Sequence, residues 1–104
     1  MGLIAALLPT ARAFTRLQGA VGAAHEVRAC ASWSGLESLC AEHAVAVAVV
    51  DLYAEGDPRF DALRRLRTRF GTVPIVAYVT YDPERARDLF DLGRAGVVGL
   101  LLTD

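Results

Sequence analysis

The sequence contains no lysine, and its 11 basic residues, all arginine, stand against 12 acids for a net charge of −1. Without a charge excess there is no global field to draw the chain to DNA, RNA or an anionic membrane, so neither direct nucleic-acid binding by this segment nor membrane association is expected. Long hydrophobic runs are also missing. The two longest, 45–50 and 97–102, are strand-sized and too short to span a bilayer. The apolar start at 3–8 has no basic residue before it and reads as a first strand rather than an export leader, so the expected compartment is the cytoplasm. Cysteine is scarce: Cys30 and Cys40 are expected as buried thiols, and together with His25 and His43 they match no zinc spacing. No glycine-rich phosphate loop follows the first strand, where Leu8-Pro9-Thr10-Ala11 stands, and neither a Walker sequence nor a Gly-x-Ser-x-Gly elbow occurs. No catalytic residue, metal or cofactor is expected.

What is present is one domain's worth of alternating strand and helix signals. A chain of 104 residues supports one core and not two, and a hydrophobic share of 54% excludes a disordered segment. Strands are expected near 3–8, 25–31, 44–50, 73–79 and 97–102. Thr10 precedes a helix with Phe14, Leu17 and Val21 at helical spacing. Ser34-Gly35-Leu36-Glu37 has capping-box spacing before a stripe of Leu36, Leu39 and Cys40. Asp57-Pro58 and Asp82-Pro83 read as cap-then-proline helix starts, Gly71 and Gly93 as helix ends. The helix after Pro58 places Phe60, Leu63, Leu66 and Phe70 inward. Arg64, Arg65 and Arg69 lie on its solvated face, with Asp61 one turn before Arg65. Ala86, Leu89 and Phe90 point inward from the next helix.

Short connections and right-handed crossovers turn this β-α alternation into an α/β fold: a flavodoxin-like, doubly wound, five-stranded parallel sheet in the order 2-1-3-4-5. The run 44–50 is central because both its faces are apolar. The fifth helix of such a fold is lacking after the last strand, so residues 1–104 are expected to be a fragment of a longer protein.

Function in such a sheet gathers at the carboxyl ends of the strands. Of those positions only Asp51 is an acid ending a buried central strand. Val47-Ala48-Val49-Val50-Asp51-Leu52, Val73-Pro74-Ile75-Val76 and Gly96-Val97-Val98-Gly99-Leu100-Leu101 resemble the phosphoacceptor strand, the fourth strand and the entry to the fifth strand of bacterial response-regulator receiver domains. By that resemblance Asp51 is the phosphoacceptor equivalent. The family's magnesium-holding acids match Leu8 and Pro9, its hydroxyl residue Val79 with Thr80 one residue late, its switch aromatic Leu100, and its lysine Thr103. Phosphoryl transfer to a carboxylate needs cations to neutralise the moving oxygens, and here both the acidic pair and the lysine are missing.

The resemblance therefore implies a degenerate, pseudo-receiver domain. It would be the N-terminal module of a transcriptional regulator, acting by protein–protein contact and as a homodimer without conventional phosphorylation. Asp51 is then expected to accept hydrogen bonds from loop amides. Self-association is expected through Val98, Leu100 and Leu101, on the sheet face that a fifth helix would cover. The alternatives are a phosphorylatable receiver with Asp51 as acceptor, and a small-ligand sensor using the strand-end crevice.

Overall fold

In the computed structural model, which describes residues 2–56, 58–80 and 86–103, five parallel strands form one sheet in the order β2-β1-β3-β4-β5. They are β1 (Leu3–Leu7), β2 (Glu26–Ala29), β3 (Val45–Val50), β4 (Ile75–Thr80) and β5 (Gly99–Thr103). Helices α1 (Ala11–Val21), α2 (Trp33–Glu42), α3 (Phe60–Arg69) and α4 (Ala86–Arg94) connect them, with a 3-10 turn at Gly22–Ala24. This is the strand order expected from the sequence, and β3 lies in the middle.

Side-chain alternation along the strands divides the core in two. Ala5 and Leu7 of β1, Ala48 and Val50 of β3, and Ile75, Ala77 and Val79 of β4 pack with Trp33, Leu36 and Cys40 of α2, Leu63 and Leu66 of α3, and Leu92 of α4. Ile4, Ala6 and Val49 point the other way, onto Leu17 of α1, with Phe14, Val21, Val47, Val76 and Tyr78 half-buried around them. Only the second half of β3 is fully enclosed, since Ala46 is exposed. The β1–β3 register also slips between Leu3 and Ile4. Strand β2 is a short, largely exposed edge.

Several helix ends differ from the sequence expectation. Thr10 does cap α1, accepting the Ala13 amide at 3.1 Å. Helix α2, however, starts two residues early: Ser32 is the cap, accepting the Gly35 amide at 3.0 Å, and Ser34 lies inside the helix. The earlier start buries Trp33, which the stripe of Leu36, Leu39 and Cys40 did not include. Pro58 is not the first residue of α3; the helix opens at Phe60 with Arg59 in the cap position and no side-chain cap. Asp57 and the Asp82-Pro83 start lie outside the described residues, as do the side chains of Ala86, Leu89 and Phe90. Gly93 is inside α4, and the chain turns instead at Gly96, whose φ of +93° is open only to a residue without a Cβ. Gly71 does mark the end of α3: the Phe70 amide bonds the Leu66 carbonyl as the cap, and Gly71 follows it.

The charge pairing on α3 is also different. Asp61 pairs with Arg59 (3.1 Å) rather than Arg65, and that hydrogen bond holds the Asp61 carboxyl below its ordinary range. Arg65 instead reaches across to Glu37 of α2 with two bonds of 3.0 and 3.1 Å.

The helix phase has a direct test. Leu66 is 1% exposed, so Leu66→Ala removes enclosed methyl groups and is expected to cost about 2–5 kcal/mol. Arg64 is exposed, and Arg64→Ala is expected to stay within about 0.5 kcal/mol of the parent in urea denaturation. Equal effects of the two changes would show that the phase of α3 is wrong.

Candidate functional site

The carboxyl edge of the sheet is built around the end of β3. The Asp51 amide continues the ladder by donating to the Leu7 carbonyl at 2.7 Å, which sets Asp51 beside the end of β1. Asp51 is only 9% exposed, and its Oδ1 accepts the Tyr53 amide at 3.0 Å while its carbonyl accepts the Ala54 amide at 3.1 Å. The side chain thus closes the turn that leaves the strand, the local geometry in which an aspartate mimics a backbone acceptor.

The next residues of that loop tie it to its neighbours. The Tyr53 hydroxyl donates to the Asp88 carboxylate on α4. Glu55 accepts the Trp33 amide at 3.2 Å through Oε2, satisfying a first-turn donor of α2, and its Oε1 pairs with Arg59 at 2.6 Å. Sequence reasoning gave Tyr53, Glu55 and Asp88 no role. A tyrosine just past a strand end and a nearby loop acid were the only signals, and neither says which helix it will meet.

The other strand-end positions named from the sequence are placed as follows. Leu8 is half-buried against the α1 layer, and Pro9 is exposed. Val79 is 7% exposed and faces the three-helix layer. Thr80 and Thr103 are paired as the last residues of β4 and β5, and Leu100 pairs with Ala77; the side chains of Thr80, Leu100, Leu101 and Thr103 lie outside the described part. The cysteines are free thiols, Cys40 buried and Cys30 half-buried. Burial pushes both above the ordinary thiol range, with Cys40 adding to the rise at Cys30 and Glu37 to that at Cys40. Among the described residues no three of His, Cys, Asp and Glu gather into a metal-holding group.

The fold has clear counterparts among solved structures. The N-terminal signal receiver domain of a two-component response regulator from Bacteroides fragilis superposes with a TM-score of 0.85 at 14% identity, over 99% of this chain and 84% of that one. The receiver domain of TorR, a response regulator of the TMAO respiratory system, gives 0.83 at 20% identity, covering 99% and 84%. The chain has the receiver-domain fold. It also matches NtrX from Brucella abortus at a TM-score of 0.84 and 12% identity, where it spans 98% of its own length but only 23% of NtrX. No protein-family model matches the sequence, and no curated protein does.

The resemblance to receiver domains implies a magnesium site after the first strand, beside Asp51, and the donors there decide whether it fits. Magnesium is held octahedrally by oxygen, usually one or two carboxylates with waters and substrate phosphate. Among the described residues at the ends of β1 and β3, one carboxylate, already engaged with the Tyr53 amide, stands beside a leucine and a proline that carry no side-chain oxygen. The residues do not fit the metal.

The hydrogen bond inside the turn predicts how Asp51 behaves on substitution. Asp51→Ala leaves the Tyr53 amide without its acceptor and is expected to cost about 1–3 kcal/mol. Asp51→Asn keeps an oxygen in place and is expected to cost less. Urea midpoints of the two variants compare them directly, and a neutral Asp51→Ala would show that the carboxylate does not hold the loop.

Proposed function

We propose that this chain is a non-catalytic, pseudo-receiver regulatory domain of the cytoplasm. It is the N-terminal module of a transcriptional regulator and works by protein–protein contact without conventional phosphorylation. The observation that carries this reading is the turn-closing bond from the Tyr53 amide to Asp51 in a site whose flanking positions are Leu8 and Pro9. An acceptor aspartate in a working receiver needs a cation on each side of the incoming phosphoryl group. This one has a structural task and no lysine anywhere in the chain to assist it. One structural neighbour is an adenylate cyclase from Rhodopirellula baltica, but at 12% identity the likeness extends to the fold alone.

Contact between copies is part of the proposal. On the α1 side of the sheet Val76 and Tyr78 are half-buried, and just before β5 Val98, whose amide donates to the Ile75 carbonyl, is 63% exposed. Apolar side chains grouped on a sheet face favour association, and an uncharged patch is complementary to itself about a two-fold axis. No helix among the described residues is long and apolar enough to cross a membrane.

A specific observation also favours a second reading, the small-ligand sensor. A cavity of about 300 Å³ opens beside the strand ends, lined by Leu8, Pro9, Thr10, Phe14, Ala29 and Cys30 among others. A ligand-dependent rise in melting temperature, lost when Ala29→Phe fills the cavity, would favour it.

Two experiments test the principal reading. Incubation with magnesium and acetyl phosphate is expected to leave the intact mass unchanged; a mass gain that disappears in Asp51→Asn would establish a phosphorylatable receiver instead. Sedimentation at micromolar concentration is expected to show a dimer that Val98→Glu weakens. A monomer at all concentrations would remove self-association from the proposal.

A further inference from the structure

The arginines of α3 look alike in sequence, a solvated basic face, but the structure sorts them. Arg59 is committed to Glu55 and Asp61, and Arg65 to Glu37. Arg69 lies at 4.0 Å from Glu37 and over the Phe70 ring, and Arg67 donates to the Gly96 carbonyl at 3.1 Å. The Arg64 guanidinium has no hydrogen-bond or ion-pair partner among the described residues, although the residue's carbonyl accepts the Thr68 hydroxyl at 2.9 Å. Arg64 lines a cavity of about 480 Å³ between α3 and α4, together with Phe60, Asp91, Arg94 and Ala95. Arg94 is likewise without a described partner, and neither arginine is ion-paired with Asp91. Among the described residues the groove therefore has two guanidinium groups without an ion-pair partner, one carboxylate, and the half-buried apolar surfaces of Phe60 and Ala95.

We propose that the groove between α3 and α4 is the docking site for an acidic segment of a partner protein that also carries an apolar side chain. This rests on the reading of the domain as a protein-contact module and adds where the contact is made and with what chemistry. Charge complementarity selects the occupant. Two planar guanidiniums match carboxylates through paired, charge-assisted hydrogen bonds. A compact anion such as phosphate would gain from the arginines, but Asp91 repels it and Phe60 offers it nothing. An acidic peptide uses the whole groove: its carboxylates meet Arg64 and Arg94, its apolar side chain covers Phe60 and Ala95, and Asp91 accepts from its backbone or hydroxyl donors. Because the guanidiniums lie in water-accessible positions, the attraction is screened by salt and weakens as ionic strength rises.

The test uses the whole chain and a short fluorescein-labelled peptide of alternating Glu pairs and Leu, with anisotropy for affinity and amide NMR for location. The acidic peptide is expected to bind and to shift the Ala95 and Gly96 amides. Arg64→Gln and Arg94→Gln are each expected to weaken it about tenfold, the loss of one charge-assisted contact, while Arg28→Ala on the β2 edge leaves it unchanged. Circular dichroism checks that the variants fold. Overturning results are no shift at Ala95 and Gly96, affinity unaffected by either glutamine variant, or displacement of the peptide by inorganic phosphate or anionic vesicles as effective as displacement by unlabelled peptide. A peptide in which Lys replaces Glu is expected not to bind, and equal binding by it would also overturn the proposal. Self-association and acetyl-phosphate resistance are read separately, so if those hold and the peptide does not bind, the groove proposal alone fails.

Discussion

The structure depends on the enclosure of the end of β3. Ala48, Val49 and Val50 are almost wholly removed from water, and alternation sends Ala48 and Val50 into one layer and Val49 into the other. A strand buried on both faces needs neighbours on both edges and helices above and below. Strands β1 and β4 provide the edges. Helix α1 covers one face, and α2, α3 and α4 the other. Each fully enclosed valine or leucine side chain here contributes roughly 1.5–3 kcal/mol, which favours an arrangement that covers both faces of β3.

That enclosure also decides what Asp51 becomes. A carboxylate at the end of such a strand is carried to the edge of the apolar core, where leaving it without a hydrogen bond would be costly. The chain answers locally, with the Tyr53 amide two residues on. The loop that follows is then held at successive points, by Tyr53 to α4 and by Glu55 to the start of α2. Among the described residues, the carboxylates of Asp51 and Glu55 both accept backbone amides, one within the loop and one at the start of α2.

The face made by α3 and α4 shows the opposite balance. Glu37 gathers Arg65 and Arg69, and Gly96 brings its carbonyl within reach of Arg67. A Cβ at position 96 would lie 2.5 Å from that arginine's Nε. Arg64 and Arg94, which line the groove between the two helices, have no ion-pair partner among the described residues. An interaction surface emerges here from which ion pairs the packing permits, and not from the number of arginines.

The sequence by itself determined the fold class, the strand order and the phase of α3, because apolar periodicity reports burial directly and parallel crossovers leave few ways to connect the elements. It also placed Asp51 at the end of the central strand, where the structure has it. Helix starts at Ser32 and Phe60 and the turn at Gly96 were misread because capping patterns recur within a few residues of one another, and only packing selects among them. Trp33 is the clearest case: starting α2 at Ser32 buries its ring. Tertiary structure alone decided that Asp61 turns to Arg59, that Arg65 crosses to Glu37, and that Tyr53 and Glu55 bind neighbouring helices. Those partners are separated by up to 35 residues in the chain, and a side chain's choice among several oppositely charged or polar groups depends on distances that no local pattern contains.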